Sequence, residues 1–453
     1  MIHSSLLTLL LTAVAPLNLQ AGDWPNWRGP HWDGSSDEKG LPGKISMTEN
    51  ILWKAAVPGP AASSPVVSGG KVFLTTAESG KKVLTALCFN AADGTLLWSK
   101  QIGTGYSSDG SSNFANPSPV TDGRVVVFHF ATGDTAAFDF EGKELWKRNL
   151  QTDYGSWTIQ WTPASSPVIT HGKLIFQVLQ RDTAFEFQGV QKGKAGSTNE
   201  SYLLALDPMT GKEIWKQTRP SQASAESREA FSTPMPWTCN GRDELLVSGG
   251  DDLTGHDPAT GRELWRWGTY NPTRISHYRL VPGPVAGNNT VIICGPKREP
   301  VFAIKGGLSG TLKDSDLAWT SSNETNSKHV SSDVSTPLFY RGRFYILNSD
   351  RKEIFAVDPV TGKLHWSCRL DSQKIESSPA AGDGKIYFQD MSGKLFILPA
   401  DAPDGSEVQP LSSATLSEDV QKDIRSSIAL ADGRVFIRNG THLICAGIKA
   451  DNK

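Results

Sequence analysis

The side chains best suited to chemistry stand just ahead of a recurring apolar segment. Asn116, Trp161, Glu229, Arg279, Asp333, Glu376 and Arg425 each precede, by two to five residues, a Ser-Pro, Thr-Pro or near-variant pair. Arg228, His277 and Tyr278 lie beside them. Carboxylates, guanidinium groups and aromatic rings in such a mixture suit the binding of a polar ligand or a peptide segment. They do not compose a recognised catalytic set. The chain has no Gly-x-Ser-x-Gly, no His-Glu-x-x-His and no phosphate-cradling Gly-rich loop ending in Lys-Ser/Thr. His129, His256, His277, His329, His365 and His442 are isolated from one another. Cys88, Cys239, Cys294, Cys368 and Cys445 show no metal or haem spacing; their odd number leaves at least one thiol free and allows one disulfide.

These residues must be positioned by a repeat. The openings Ser64-Pro65, Ser118-Pro119, Ser166-Pro167, Thr233-Pro234, Gly283-Pro284, Thr336-Pro337, Ser378-Pro379 and Ser427-Ile428 are spaced by 42 to 67 residues. Between them runs a second repeat. "LALDPMTGKEIW", "GHDPATGRELW" and "AVDPVTGKLHW" end at Trp215, Trp265 and Trp366, with looser copies ending at Trp98 and Trp146. Each copy is an apolar run, an Asp-led turn carrying Gly, and a strand that delivers Trp. Asp can accept backbone N–H groups in such a turn, and Gly tolerates positive φ. Four short strands and their turns need about 40–50 residues, one blade of a propeller.

Eight openings predict an all-β, eight-bladed β-propeller over residues 51–448. The last unit runs out after three strands, so "NILWKAAV" is expected to supply its outer strand, with Trp53 in the outer slot. Closure of that kind removes an exposed edge. Trp53, Trp98, Trp146, Trp215, Trp265, Trp319 and Trp366 then fill seven of eight outer positions. Blade seven has no Trp, and its outer strand is expected near Glu407–Leu411. A short helical turn is allowed near Leu416–Ile424. The antiparallel blades put the "DPxTG" turns on one face and the long crossovers, 103–116, 153–163, 217–232, 268–282 and 320–335, on the other. Arg181–Ser201 adds a long second–third insertion in blade three. "GGDDLTG" at Gly249–Gly255 reads as a second–third turn.

Residues 1–21 read as a secretory signal peptide cleaved after Ala21, residues 22–50 as an N-terminal extension and 449–453 as a C-terminal tail. No other apolar run reaches membrane length, and no Cys near the cleavage site offers a lipid anchor. The expected location is the periplasm or the extracellular space. The formal charge of −2 and scattered basic residues disfavour nucleic acid.

The paired "SSPVV" and "D-x-x-T-G-K-x-x-W" units resemble the repeat of pyrroloquinoline-quinone-type β-propellers. That group includes quinoprotein alcohol dehydrogenases and the propeller lipoprotein of outer-membrane protein assembly. The opening "DWPNWRGPHWDG", Asp23–Gly34, is similar to the start of secreted bacterial members. The resemblance implies that the seven repeat Trps dock each blade on its neighbour, consistent with the roughly 150–250 Å² that such a ring buries. It also raises quinone and Ca²⁺ binding, for which Asp333 or Glu376 would serve as base or ligand and Trp161 as stacking platform. The vicinal cysteine pair of those dehydrogenases is missing, and no Ca²⁺-ligand spacing stands out. The expectation is a non-enzymatic binding or assembly scaffold for envelope proteins or a small polar ligand, with no cofactor. The alternative is a quinone-dependent alcohol or sugar dehydrogenase. A carbohydrate-binding propeller would use Trp157, Trp161 and Trp237 in loops.

Overall fold

The computed structural model describes residues 22–106, 112–182, 199–416 and 423–449. Residues 1–21, read above as a signal peptide, most of the Arg181–Ser201 insertion and of the turn near Leu416–Ile424, part of the 103–116 crossover and the end of the tail lie outside these residues. The described chain is an eight-bladed β-propeller. Blade one shows the plan: Val66–Ser68 is innermost, followed outward by Lys71–Glu78, Val83–Asn90 and Leu96–Thr104, all antiparallel. Val, Ile, Leu and Phe fill the two middle strands of most blades, because those strands are covered on both faces by neighbouring blades.

The ring closes through blade eight. Ile51–Ala56 pairs antiparallel with His442–Gly447, outside Arg434–Asn439 and Ala429–Ala431. Two details depart from the sequence reading. Blade four carries a fifth strand, Gly310–Thr311, parallel to Glu263–Trp267. The outer strand of blade seven is Ser412–Thr415 and not Glu407–Leu411. Glu407 instead makes a parallel bridge with Ser367 of blade six, so this stretch covers that blade's edge before the chain turns back.

The Asp-Gly turns and the Trps form one device spanning two blades. In the turn of blade three, Asp207 Oδ1 accepts the N–H groups of Met209 and Thr210 at 3.0 and 2.8 Å. Gly211 follows at φ +66°. A Cβ there would meet the Trp146 ring of blade two at 2.6 Å. Trp146 Nε1 donates to Pro208 O in that same turn at 2.9 Å. Gly94 seats Trp53, Gly142 seats Trp98 and Gly362 seats Trp319 in the same way, and Gly261 seats the Trp215 ring without a bond from its indole N–H. Thus the glycine is required both for its φ and for the ring above it.

Trp265 and Trp366 are the exceptions, because blades five and seven have no such turn to receive them. Trp265 Nε1 turns back to Glu244 Oε2 of its own blade at 2.6 Å, while Trp366 Nε1 has no partner. All five cysteines are buried free thiols within strands, so no disulfide forms. Burial pushes the Cys88, Cys294 and Cys445 thiols up to about 12, which keeps them unreactive.

Candidate functional site

The Ser-Pro openings build the wall of the central channel. The N–H of Ser64 donates to Ser118 Oγ at 2.9 Å, that of Ser118 to Ser166 Oγ at 3.0 Å, and that of Ser166 to Thr233 Oγ1 at 3.0 Å. At blade five the chain of bonds resumes from Gly283 N to Thr336 Oγ1, then to Ser378, Ser427 and back to Ser64. Seven bonds therefore run round eight blades. The gap is at Gly283, which has no hydroxyl to offer Thr233 N–H. The following Pro removes a donor from the channel-facing edge strand, where an N–H would find no strand to pair with. This belt explains why a hydroxyl residue precedes the apolar segment in seven of the eight units.

The floor comes from the N-terminal segment, which crosses the opposite face of the ring. Trp24 exchanges backbone bonds with Val67 of blade one at 2.8 and 2.9 Å, and Pro25 O accepts Thr121 N–H of blade two at 2.9 Å. Asp33 O accepts Phe339 N–H of blade six at 3.1 Å, and Gly34 O accepts Ala381 N–H of blade seven at 2.9 Å. Between these anchors Arg28 is 3 % exposed. Its guanidinium donates to Pro379 O, Pro337 O and Asp33 O at 2.9, 2.5 and 2.9 Å. The Trp27 ring lies 5.3 Å from the Arg28 Cζ and faces a cavity of about 490 Å³ that opens on the crossover face.

Neighbouring crossovers are clasped at the rim by ion pairs. Glu226 Oε1 receives Trp161 Nε1 at 3.0 Å and the Arg279 guanidinium, whose Cζ stands 5.8 Å from the Trp161 ring. Glu376 is held by Lys374 and by Arg425. Burial alone would raise its carboxyl, but Arg425 and Lys374 outweigh burial and hold it below the usual range. Asp333 Oδ1 accepts the Lys297 backbone N–H at 2.9 Å.

Trp161, Arg279, Asp333, Glu376 and Arg425 therefore come together round one funnel, joined by Asn116. Three other expected residues stand outside it. Glu229 is fully buried behind the rim, where it accepts Gln160 N–H at 2.9 Å and pairs with Arg181. Arg228 bonds Ser221 O at 3.2 Å, and Tyr278 OH donates to Glu299 at 2.9 Å. Sequence reading missed the belt, Trp27, Arg28, Lys297 and Lys374. The hydroxyls were visible as part of the opening, but their partners lie one blade away.

A profile of the family described as "Outer membrane protein assembly factor BamB" matches residues 45–194, 189–333 and 313–453, nearly all of the described chain. The chain belongs to that family. A curated BamB from Burkholderia pseudomallei is 26 % identical over 220 residues, which are 48 % of this chain and 47 % of the relative. The alignment thus spans about half the length of that relative. The crystal structure of BamB from Moraxella catarrhalis superposes with a TM-score of 0.56 at 12 % identity, over 89 % of this chain and 98 % of that one. A europium-containing methanol dehydrogenase superposes at 0.65 and 12 % identity, over 94 and 91 %. The quinohemoprotein alcohol dehydrogenase of Comamonas testosteroni gives 0.62 and 13 %, over 96 and 82 %. At such identities the likeness is one of fold.

Both carboxylates that the resemblance offered to a quinone–Ca²⁺ pair in this BamB-family funnel already have partners. Asp333 and Glu376 are engaged separately, by the Lys297 backbone and by Arg425 with Lys374. Among the described residues no three His, Cys, Asp or Glu side chains gather where a metal ion could sit. A loop Trp for sugar stacking is also not available at Trp157, which is buried against Tyr202, or at Trp237, which lies in the inner strand Met235–Cys239.

Glu229 supplies a test of rim integrity. Burial raises its carboxyl from the ordinary 4.5 to about 7, against the opposing pull of Arg181. The folded protein therefore holds more protons than the unfolded chain between those values, and the contribution of Glu229 to stability falls as pH rises through that window. Glu229→Gln is expected to gain on the wild type, in unfolding midpoint, between about pH 5 and about pH 8. An unchanged difference would show that this carboxyl is ionised throughout.

Proposed function

We propose that this BamB-family propeller is a non-enzymatic scaffold of the cell envelope, which binds other proteins through its funnel and the crossovers around it. The observation that carries this reading is the rim itself. Its carboxylates are engaged in holding neighbouring crossovers, which keeps a shaped polar mouth, and among the described residues no metal-ligand set is assembled. Membership in a family described by outer-membrane assembly supports a protein partner, and residues 1–21 support export to the periplasm. No helix among the described residues is long and apolar enough to cross a membrane.

The test is positional. A photo-crosslinking residue at Lys297, on the funnel, is expected to capture envelope proteins in cells, while one at the exposed Val360, in a turn on the opposite face, captures none. Equal capture from both faces, or none from Lys297, counts against the scaffold. Pure protein titrated with pyrroloquinoline quinone and Ca²⁺ is expected to show no bound-quinone absorption and no dye reduction; both signals together would favour the dehydrogenase.

A further inference from the structure

The funnel floor presents hydrogen-bond donors in excess. Ser64, Ser118, Thr233, Thr336, Ser378 and Ser427 line the cavity, and each hydroxyl oxygen already accepts a backbone N–H. None of them donates its own proton to a described residue, so each O–H remains available to an acceptor in the channel. At the gap left by Gly283, the backbone N–H of Thr233 is likewise without an acceptor among the described residues. The Trp27 ring closes the floor below them. A buried donor left unmade costs about 1–3 kcal/mol, so these groups call for acceptors.

Charge points the same way. Arg28, directly beneath Trp27, has only carbonyl partners for its guanidinium and no carboxylate within ion-pair distance among the described residues; its Nε is buried and unpartnered. Arg438, buried at the seam of blades eight and one, is also held only by neutral oxygens, those of Ser63, Thr75 and Gly59. At the rim Lys374 and Arg425 both pair with Glu376, Arg425 also stands near Asp423, and Lys297 Nζ makes no ion pair among the described residues. Asp333 and Glu376 on the rim are acceptors, and they suit the amide N–H groups that any peptide brings. A cavity of about 490 Å³ open at one end is larger than a single oxyanion requires.

We propose that the funnel is a carboxylate-binding site that receives an extended, acidic peptide segment, with a Glu or Asp side chain of the partner reaching the hydroxyl belt beside Trp27. This rests on the scaffold reading and gives the partner its chemistry. The donor ring meets the carboxylate oxygens, Lys297 and Lys374 steer it, and the rim acceptors take the peptide backbone.

The test uses the full chain and a fluorescent peptide of alternating Gly and Glu, followed by anisotropy, with an alternating Gly and Gln peptide as its neutral counterpart. The acidic peptide is expected to bind and the neutral one not. Lys297→Ala with Lys374→Ala should weaken binding roughly tenfold, and salt should do likewise. Lys143→Ala, in a turn on the opposite face, should leave it unchanged. Equal binding of both peptides, no binding of the acidic one, or an equal loss in Lys143→Ala overturns the proposal. So does displacement by inorganic phosphate at equal concentration, which would reassign the floor to a free oxyanion. Crosslinks from Lys297 that persist alongside any of these results would leave the scaffold standing and remove only its acidic partner.

Discussion

Gly211→Ala is expected to destabilise the propeller by about 3–4 kcal/mol, whereas Gly172→Ala costs about 1 kcal/mol. The two glycines have nearly the same backbone, φ +66° and +68°, and both lie in turns of blade three. They differ in what a methyl group would meet. Nothing lies within 4 Å of a Cβ on Gly172, so only the left-handed conformation is charged against that variant. On Gly211 the same Cβ would stand 2.6 Å from Cδ2 and 2.8 Å from Cε3 of Trp146, which cannot retreat without breaking its bond to Pro208 O. The ring must lift, and the seam between blades two and three opens with it. Chemical unfolding midpoints measure the difference, and near-ultraviolet circular dichroism should change for Gly211→Ala alone. Equal losses would mean that the turn conformation, not the ring, is what selects glycine here.

That pairing bears on how far the sequence could be read. The blade count, the closing strand at Trp53 and the face carrying the long loops all followed from repeats, because each repeat records a local need: strand, turn, strand. What crosses from one blade to the next was less legible. The turn glycine was attributed to φ alone, since its Trp belongs to the preceding blade about 65 residues earlier. The hydroxyl of each Ser-Pro pair likewise serves the N–H of the blade before it, a bond that no local pattern displays. Glu229 was placed at the mouth from its distance to the inner strand. Yet the short helical turn Ala225–Arg228 intervenes and sends the side chain inward to Arg181. Trp265 shows the limit from the other direction: its repeat is nearly complete, but the turn that should seat it is replaced by the longer connection of blade five. A repeat thus predicts the element it contains, and only the neighbouring copy decides what that element touches.

The N-terminal segment was least legible, because its anchors are mostly backbone bonds that leave no residue pattern, and Arg28 is where it is most open to test. Arg28→Ala should lower stability by about 3 kcal/mol and release residues 22–50 from the ring face. Two opposing terms set that figure. Burying a guanidinium without a carboxylate is costly, and burial indeed brings Arg28 down to about 10. Hydrogen bonds to a charged donor offset the cost at about 1.5–3 kcal/mol each, and Arg28 makes three, to Pro379, Pro337 and Asp33. Removing it leaves the Pro337 and Pro379 carbonyls facing a void that the inner strands cannot close. Arg28→Lys should recover less than half the loss, because an ammonium cannot reach two strands with the spread of a planar fork. The diagnostic readout is hydrogen exchange. The N–H groups of Trp24 and Val67, each bonded to the other residue's carbonyl, should lose protection in Arg28→Ala while the middle strands of the blades keep theirs. Uniform loss of protection would make Arg28 a general stability residue. Selective loss would make it the pin that holds the floor of the funnel.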